Sequence, residues 1–187
     1  LSLHDALPIC GLKGGHSGID IHLGRGNANR ILFRLLRKCE RECGLRLASV
    51  DGGGLRNAIP REATATVVVP DAVSDVFRTL AAGLESVLKE EFRGVDDAVT
   101  VRITDARRPD SLIDPQSQRQ LIRAVRGCPD GVIRMNPSMP GLVQTSSNLA
   151  RVTAGSGEIL VHCLLRSSLD SEKADLGDRI AGVFELA

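Results

Sequence analysis

The chain has 187 residues, with 24 Lys and Arg against 23 Asp and Glu for a formal net charge of +1, and 42% of it is hydrophobic. Such a balance supplies no electrostatic attraction for nucleic acid or an anionic membrane. With four Phe, no Trp and no Tyr, there is no stacking platform for single-stranded nucleic acid either. No apolar run approaches the roughly 20 residues of a membrane span. The length suits one domain, with a core built from Leu, Ile, Val and Ala. Five scattered cysteines, Cys10, Cys39, Cys43, Cys128 and Cys163, are an odd number and fit a reducing cytoplasm better than a disulfide scaffold.

Residues 1–9 share no periodicity with the rest of the chain and resemble the translation of a sequencing-adapter oligonucleotide. They are set aside as a non-native extension, leaving 10–187 as a single domain. Residues 17–23 alternate apolar and polar at Ile19, Ile21 and Leu23, which predicts a half-buried strand. Asn27 or Asn29 then caps a helix whose stripe is Ile31, Leu32, Leu35, Leu36 and Cys39, and Gly44 ends it. A strand over 45–50 runs into the turn Asp51–Gly54, and the β-prone run 62–69 stops at Pro70.

From Asp71 to Phe92, Val76, Phe77, Leu80, Leu84, Val87 and Leu88 recur at the helical period. Val99, Val101 and Ile103 predict another strand, and Asp114-Pro115 opens a helix over 115–126. Two late strands, near 142–153 and 158–166, join through Ala154-Gly155-Ser156-Gly157, and a last helix starts near 171. The order predicts an α+β fold, an antiparallel sheet with helices packed mainly on one face.

Three elements carry candidate chemistry. His16 lies in Gly14-Gly15-His16-Ser17-Gly18, on uncrowded backbone where an imidazole either meets a ligand as a hydrogen-bond donor or simply faces solvent. Asn57, in Arg56-Asn57-Ala58-Ile59-Pro60-Arg61-Glu62, sits at a strand entrance. Its amide either binds a carboxylate or carbonyl, or caps its own turn. Arg166 ends the apolar run Ile159–Leu165, and its guanidinium suits a free peptide carboxylate or a salt bridge with Asp170 or Glu172.

His22 and His162 lie in predicted strands and read as packing or surface residues, and Arg56 and Arg61 as solvated charges. Cys39 and Cys43, four apart on a helix, read as small hydrophobes, because no second Cys/His pair completes a metal site. Gly24-Arg25-Gly26 lacks the rest of a dinucleotide fingerprint, and Asp51–Gly54 is too short for a phosphate loop. Arg30, Arg34, Arg37, Lys38 and Arg41 read as one solvated helix face.

The segment Gly11–Asn29 resembles the start of the lid, or dimerisation, domain of bacterial aminoacyl-histidine dipeptidases. Arg56–Glu62, Pro140–Leu149 and His162–Ser168 resemble further lid segments of the same family, in the same order. The resemblance implies the lid of a zinc metallopeptidase that hydrolyses dipeptides ending in histidine. His16 would then be the oxyanion stabiliser, acting in its own subunit or in the partner's site of a homodimer. Asn57 and Arg166 would bind the substrate carboxylate. The family's two zinc ions are held in a catalytic domain of which this chain carries no ligand motif, so the chain alone is expected to bind no zinc and hydrolyse nothing. A related zinc tripeptidase or N-acyl amino acid deacylase, and a non-catalytic dimerisation or binding module, are the alternatives.

Overall fold

The computed structural model describes residues 2–187. Among these the elements run β1 (Ser2–Ala6), β2 (Ile9–Cys10), β3 (Gly15–His16), α1 (Ala28–Cys43), β4 (Arg46–Gly52), β5 (Ala58–Ile59), β6 (Ala63–Pro70), α2 (Ser74–Glu91), β7 (Thr100–Val101) and β8 (Thr104–Asp105). They continue with α3 (Pro115–Gly127), β9 (Gly131–Met135), β10 (Val143–Gly155), β11 (Glu158–Ser167) and α4 (Asp170–Leu186). The main sheet is antiparallel in the order β11-β10-β4-β6-β1-β8, with β9 on β10 and β2 joining β6 to β7. Ribbon β3-β5 stands apart from it. This is the expected α+β architecture. Among the described residues no helix is long and apolar enough to cross a membrane.

The pattern of β6 explains why the sheet takes a helical layer. Ala63, Ala65, Val67 and Val69 are buried while Thr64, Thr66 and Val68 between them are half-buried, the two-residue period of a strand with one face covered. The cover is α1, which packs on β6 and β10 and on its neighbours α2 and α3. Ile31, Leu32, Phe33, Leu35 and Leu36 are buried along it. Asn27 caps the helix, its side-chain oxygen accepting from Asn29 and Arg30 N–H. Gly44 closes it with φ +63°, its N–H donating to Cys39 O, the left-handed cap that glycine tolerates best. Asn29 is not the cap. It is buried, and its amide donates to Gly52 O and Leu149 O, tying the start of α1 to β4 and β10.

Several expectations are corrected. Residues 17–23 form a turn and a short 3-10 segment at Ile21–Leu23, with Ile19 and Leu23 exposed. Gly18 and Ile19 N–H donate to the His16 ring and Asp20 N–H to His16 O, so local bonds turn the chain before a ladder can form. Residues 2–9, set aside in the sequence as a non-native extension, lie within the sheet, and residue 1 is outside the described residues. β1 pairs with β6 over Ser2–Ala6, and Leu7 and Ile9 are fully buried. The strand carries a mismatch, since Asp5 is buried with Oδ2 lacking a partner among the described residues, and burial pushes its carboxyl up.

Val76 and Val87 are exposed, so the stripe of α2 is Phe77, Leu80, Ala81, Leu84 and Leu88. Arg30 is not part of a solvated face. Its guanidinium donates to Val125 O, Arg126 O and Cys128 O at 3.0–3.1 Å, satisfying the carbonyls that the end of α3 leaves open. Arg34 reaches Glu91 of α2 and Arg37 reaches Glu40. Cys39 and Cys43 are core residues.

Glu172 anchors the start of α4. Its carboxylate accepts from Thr145 Oγ1, from Gln144 Nε2 at 2.9 Å and from Arg134 Nη1 at 3.0 Å. The Thr145 hydroxyl first, then Gln144, hold this carboxyl below its ordinary 4.5. An acid whose folded value is depressed stabilises the fold fully above its unfolded value and loses that contribution as pH falls through the folded one. Denaturant midpoints measured between about pH 3 and 6 are therefore expected to fall with acid in the native chain. In Glu172→Gln they should fall less steeply, from a lower midpoint at neutral pH.

Candidate functional site

Loop 13–26 carries His16, and one carboxylate closes its base. Asp96, fully buried after α2, accepts from Lys13 N–H and Gly26 N–H, both at 2.7 Å. Inside the loop, Arg25 donates to Gly14 O at 2.7 Å and lies 3.2 Å from Asp20, whose carboxylate accepts from His16 N–H at 2.9 Å. Gly15 is required by this packing. At φ +144°, a Cβ there would stand 2.3 Å from Arg25 Nη1 and 2.6 Å from Asp20 Oδ2.

The His16 ring is half-buried, and its Nδ1 accepts from Gly18 N–H at 3.1 Å and Ile19 N–H at 3.2 Å. A neutral ring accepting at Nδ1 carries its proton on Nε2. The turn thus selects the tautomer whose free nitrogen is a donor.

Asn57 comes to the same place through the backbone. β3 pairs with β5 in the register Gly15↔Ile59 and His16↔Ala58, and Ser17 N–H donates to Asn57 O at 2.8 Å. The Asn57 side chain is exposed and makes no hydrogen bond among the described residues. Its backbone, by contrast, is held on both sides. Asn148 of β10, buried, donates through Nδ2 to Arg56 O at 3.1 Å and to Ala58 O at 2.8 Å.

Arg166 lies opposite Ser146 in the β10-β11 ladder. Both acids that the sequence offers as its salt-bridge partners are taken, Asp170 by Lys173 and Glu172 by Arg134, Gln144 and Thr145. Its exposed guanidinium has no ion pair among the described residues. Gly18 brings it to His16. A Cβ on Gly18 would lie 3.1 Å from His16 Cε1 and 3.2 Å from Arg166 Nε, so the absent side chain is what lets imidazole and guanidinium approach.

His16 and Arg166 therefore meet at Gly18, with the Asn57 backbone bonded to the adjacent Ser17. They bring together an imidazole, a segment carrying an exposed amide, and a guanidinium with no ion pair among the described residues. Such a set can bind a carboxylate beside a second, developing oxygen charge. His22 is exposed away from any cluster, and His162 is half-buried within β11. Arg61 forms an ion pair with the adjacent Glu62 at 4.0 Å.

Sequence reasoning left Asp96, Asn148 and Gly18 without roles. An asparagine inside the buried run 144–150 of β10 is the one signal that pointed to Asn148. Asp96, beside Asp97 after Gly94, reads as an ordinary turn acid.

Among the described residues no group of three or more His, Cys, Asp and Glu is placed to hold a metal. Residues 9–96 match the peptidase dimerisation domain family. It is 40% identical over 167 residues to the cytosol non-specific dipeptidase of Escherichia coli (strain K12), spanning 89% of this chain and 34% of that protein. Its structure superposes on the crystal structure of aminoacylhistidine dipeptidase from Vibrio alginolyticus with a TM-score of 0.96 and 37% identity, covering 99% of this chain and 38% of that one. The chain thus spans little more than a third of the length of either relative.

Removing the Asp96 carboxylate leaves the buried Gly26 N–H and the part-buried Lys13 N–H without their acceptor, so Asp96→Ala should cost about 1–3 kcal/mol of unfolding free energy. It should also accelerate hydrogen exchange at Lys13 and Gly26. A variant within about 0.5 kcal/mol of the native chain would show that the loop base does not depend on this residue.

Proposed function

We propose that this chain is the lid and dimerisation portion of a dipeptidase, and that His16, Asn57 and Arg166 form its contribution to substrate. The observation that carries the reading is the approach of His16 and Arg166 at Gly18, beside the Asn57 backbone, with neither His16 Nε2 nor the Arg166 guanidinium paired among the described residues. Arg166 grips the C-terminal carboxylate of the peptide bidentately, with the Asn57 amide as a second donor. His16 Nε2–H donates to the scissile carbonyl oxygen as charge grows on it, an interaction stronger in the transition state than in the ground state. Bringing these donors up only when substrate is bound would also exclude water from the reacting bond.

The zinc that the resemblance implies does not fit the described residues. No three potential ligands cluster, and His16, the one histidine in the site, spends Nδ1 on backbone donors. Zinc ligands are therefore assigned to the part of the relatives' length that this chain does not span. The roles of His16, Asn57 and Arg166 are those of hydrogen-bond donors and a cation, and none of them passes through a metal. The name of the E. coli relative supports a cytoplasmic setting for the whole protein.

Dimerisation is supported by the family itself and by β11. That strand ends the sheet order, so its outer edge has no neighbour among the described residues. The exposed Ile159 and Phe184 lie beside it. An open edge flanked by apolar side chains is a ready pairing surface.

The test is hydrolysis by the longer protein that contains this chain, on dipeptides with and without a C-terminal histidine, since the two relatives' names differ on that preference. His16→Ala should lower kcat about 10²–10³-fold with KM little changed, the loss typical of one oxyanion donor. Arg166→Ala and Asn57→Ala should chiefly raise KM, and Arg166→Lys should fail to restore a bidentate grip. Sedimentation should report a dimer. Unchanged kinetics in all three variants would remove the substrate roles, and a dimer without hydrolysis would leave a non-catalytic module.

A further inference from the structure

Two of the five cysteines have a geometry that the peptidase reading leaves unused. Cys128 closes α3, its N–H donating to Ala124 O at 2.8 Å, and Cys163 lies in β11 opposite Leu149. Their sulfur atoms are 3.5 Å apart, although the residues are separated by 35 positions in sequence. Cys128 is buried and Cys163 half-buried. Cys163 lines a cleft of about 430 Å³ between α3, β11 and α4, with Leu121, Ala124, Val161 and Ile180. The cleft gives a small oxidant access to the pair, whose sulfurs are in contact.

The remaining cysteines are placed otherwise. Cys43 donates its S–H to Cys39 O at 3.0 Å along one helix, and both are in the core. Burial pushes both of those thiols up, away from the reactive thiolate. Cys10 shares a hydrogen bond with Thr100 Oγ1 at 3.0 Å.

We propose that Cys128 and Cys163 are a redox-active dithiol, converted by a hydroperoxide into an intramolecular disulfide. Sulfurs in contact at 3.5 Å need to close by roughly 1.5 Å to reach a bond of about 2.05 Å, a side-chain movement. The hydrogen bond between them holds the Cys128 thiol below its usual value and pushes Cys163 up, so the pair releases its first proton more readily than its second. The deprotonated sulfur attacks one oxygen of the hydroperoxide, the O–O bond breaks, and the leaving oxygen takes up a proton. The second sulfur then displaces hydroxide from the sulfenic acid, and its own proton leaves with that hydroxide as water. The two thiols have lost two electrons, and the peroxide has gained them. The new bond ties the end of α3 to β11, the two elements on which α4 packs.

The experiment is exposure of the folded chain to stoichiometric hydrogen peroxide, then thiol titration after denaturation and peptide mapping by mass spectrometry. The expected result is loss of two of the five thiols, a mass lower by two hydrogens, and a peptide linking Cys128 to Cys163, all reversed by dithiothreitol. Cys10→Ser should leave that linkage intact, while Cys128→Ser and Cys163→Ser should each abolish it. Mapping on the native chain decides the matter even where a serine variant fails to fold. A linkage through another pair, a linkage between two chains, oxidation to sulfinic acid without a linked peptide, or five surviving thiols would each overturn the proposal.

Discussion

A single buried carboxylate sets the geometry on which the candidate site depends. Asp96 takes the N–H groups of Lys13 and Gly26 on its two oxygens, closing the base of the loop between them. Hydrogen bonds made in a low-dielectric interior are electrostatically stronger than the same bonds in water. Within the closed loop, Asp20 and Arg25 brace the strand that carries His16. The imidazole is therefore positioned by a network whose root lies in the connection between α2 and β7, distant from it in sequence.

β10 supplies the second half of the frame. It pairs with β11 along its length, and with β9 and β4 over different portions, so residues 144–150 are buried. A strand enclosed in this way is under pressure to pair its polar groups. Asn148 Nδ2 donates to the carbonyls on either side of Asn57, Leu149 O accepts from both Asn27 and Asn29, and Leu149 N–H donates to Asp130, while Asn148 Oδ1 and Ser147 Oγ have no partner among the described residues. The same bonds that make the interior tolerable hold the start of α1 and the Asn57 segment in one register.

Much of the fold was legible because it follows local periodicity. The stripe and caps of α1, the Asp114-Pro115 start of α3, the alternation of β6 and the hairpin of β10 and β11 all stand where residue spacing predicts them. The failures share a cause. Ile19, Ile21 and Leu23 alternate as a strand would, but the His16 ring and Gly24 turn the chain first. β9 carries no fully buried residue, so its pairing with β10 leaves no apolar alternation to read. The residues of β1 look foreign to the chain, yet the sheet takes the strand in through backbone bonds that are indifferent to side-chain identity.

By itself the sequence determined the helices, the principal strands, the α+β class and the four segments that resemble a dipeptidase lid, since each is written in residues close together in the chain. It also marked His16, Asn57 and Arg166 as polar groups in unusual settings. Only the tertiary structure decided that His16 and Arg166 meet at Gly18, that Arg166 has no acidic partner among the described residues, and that Asp96 and Asn148 hold the His16 loop and the Asn57 backbone beside them. The physical reason is range. The bonds from Asp96 and Asn148 span 70 to 92 residues, and a contact across that distance imposes no period on the residues between.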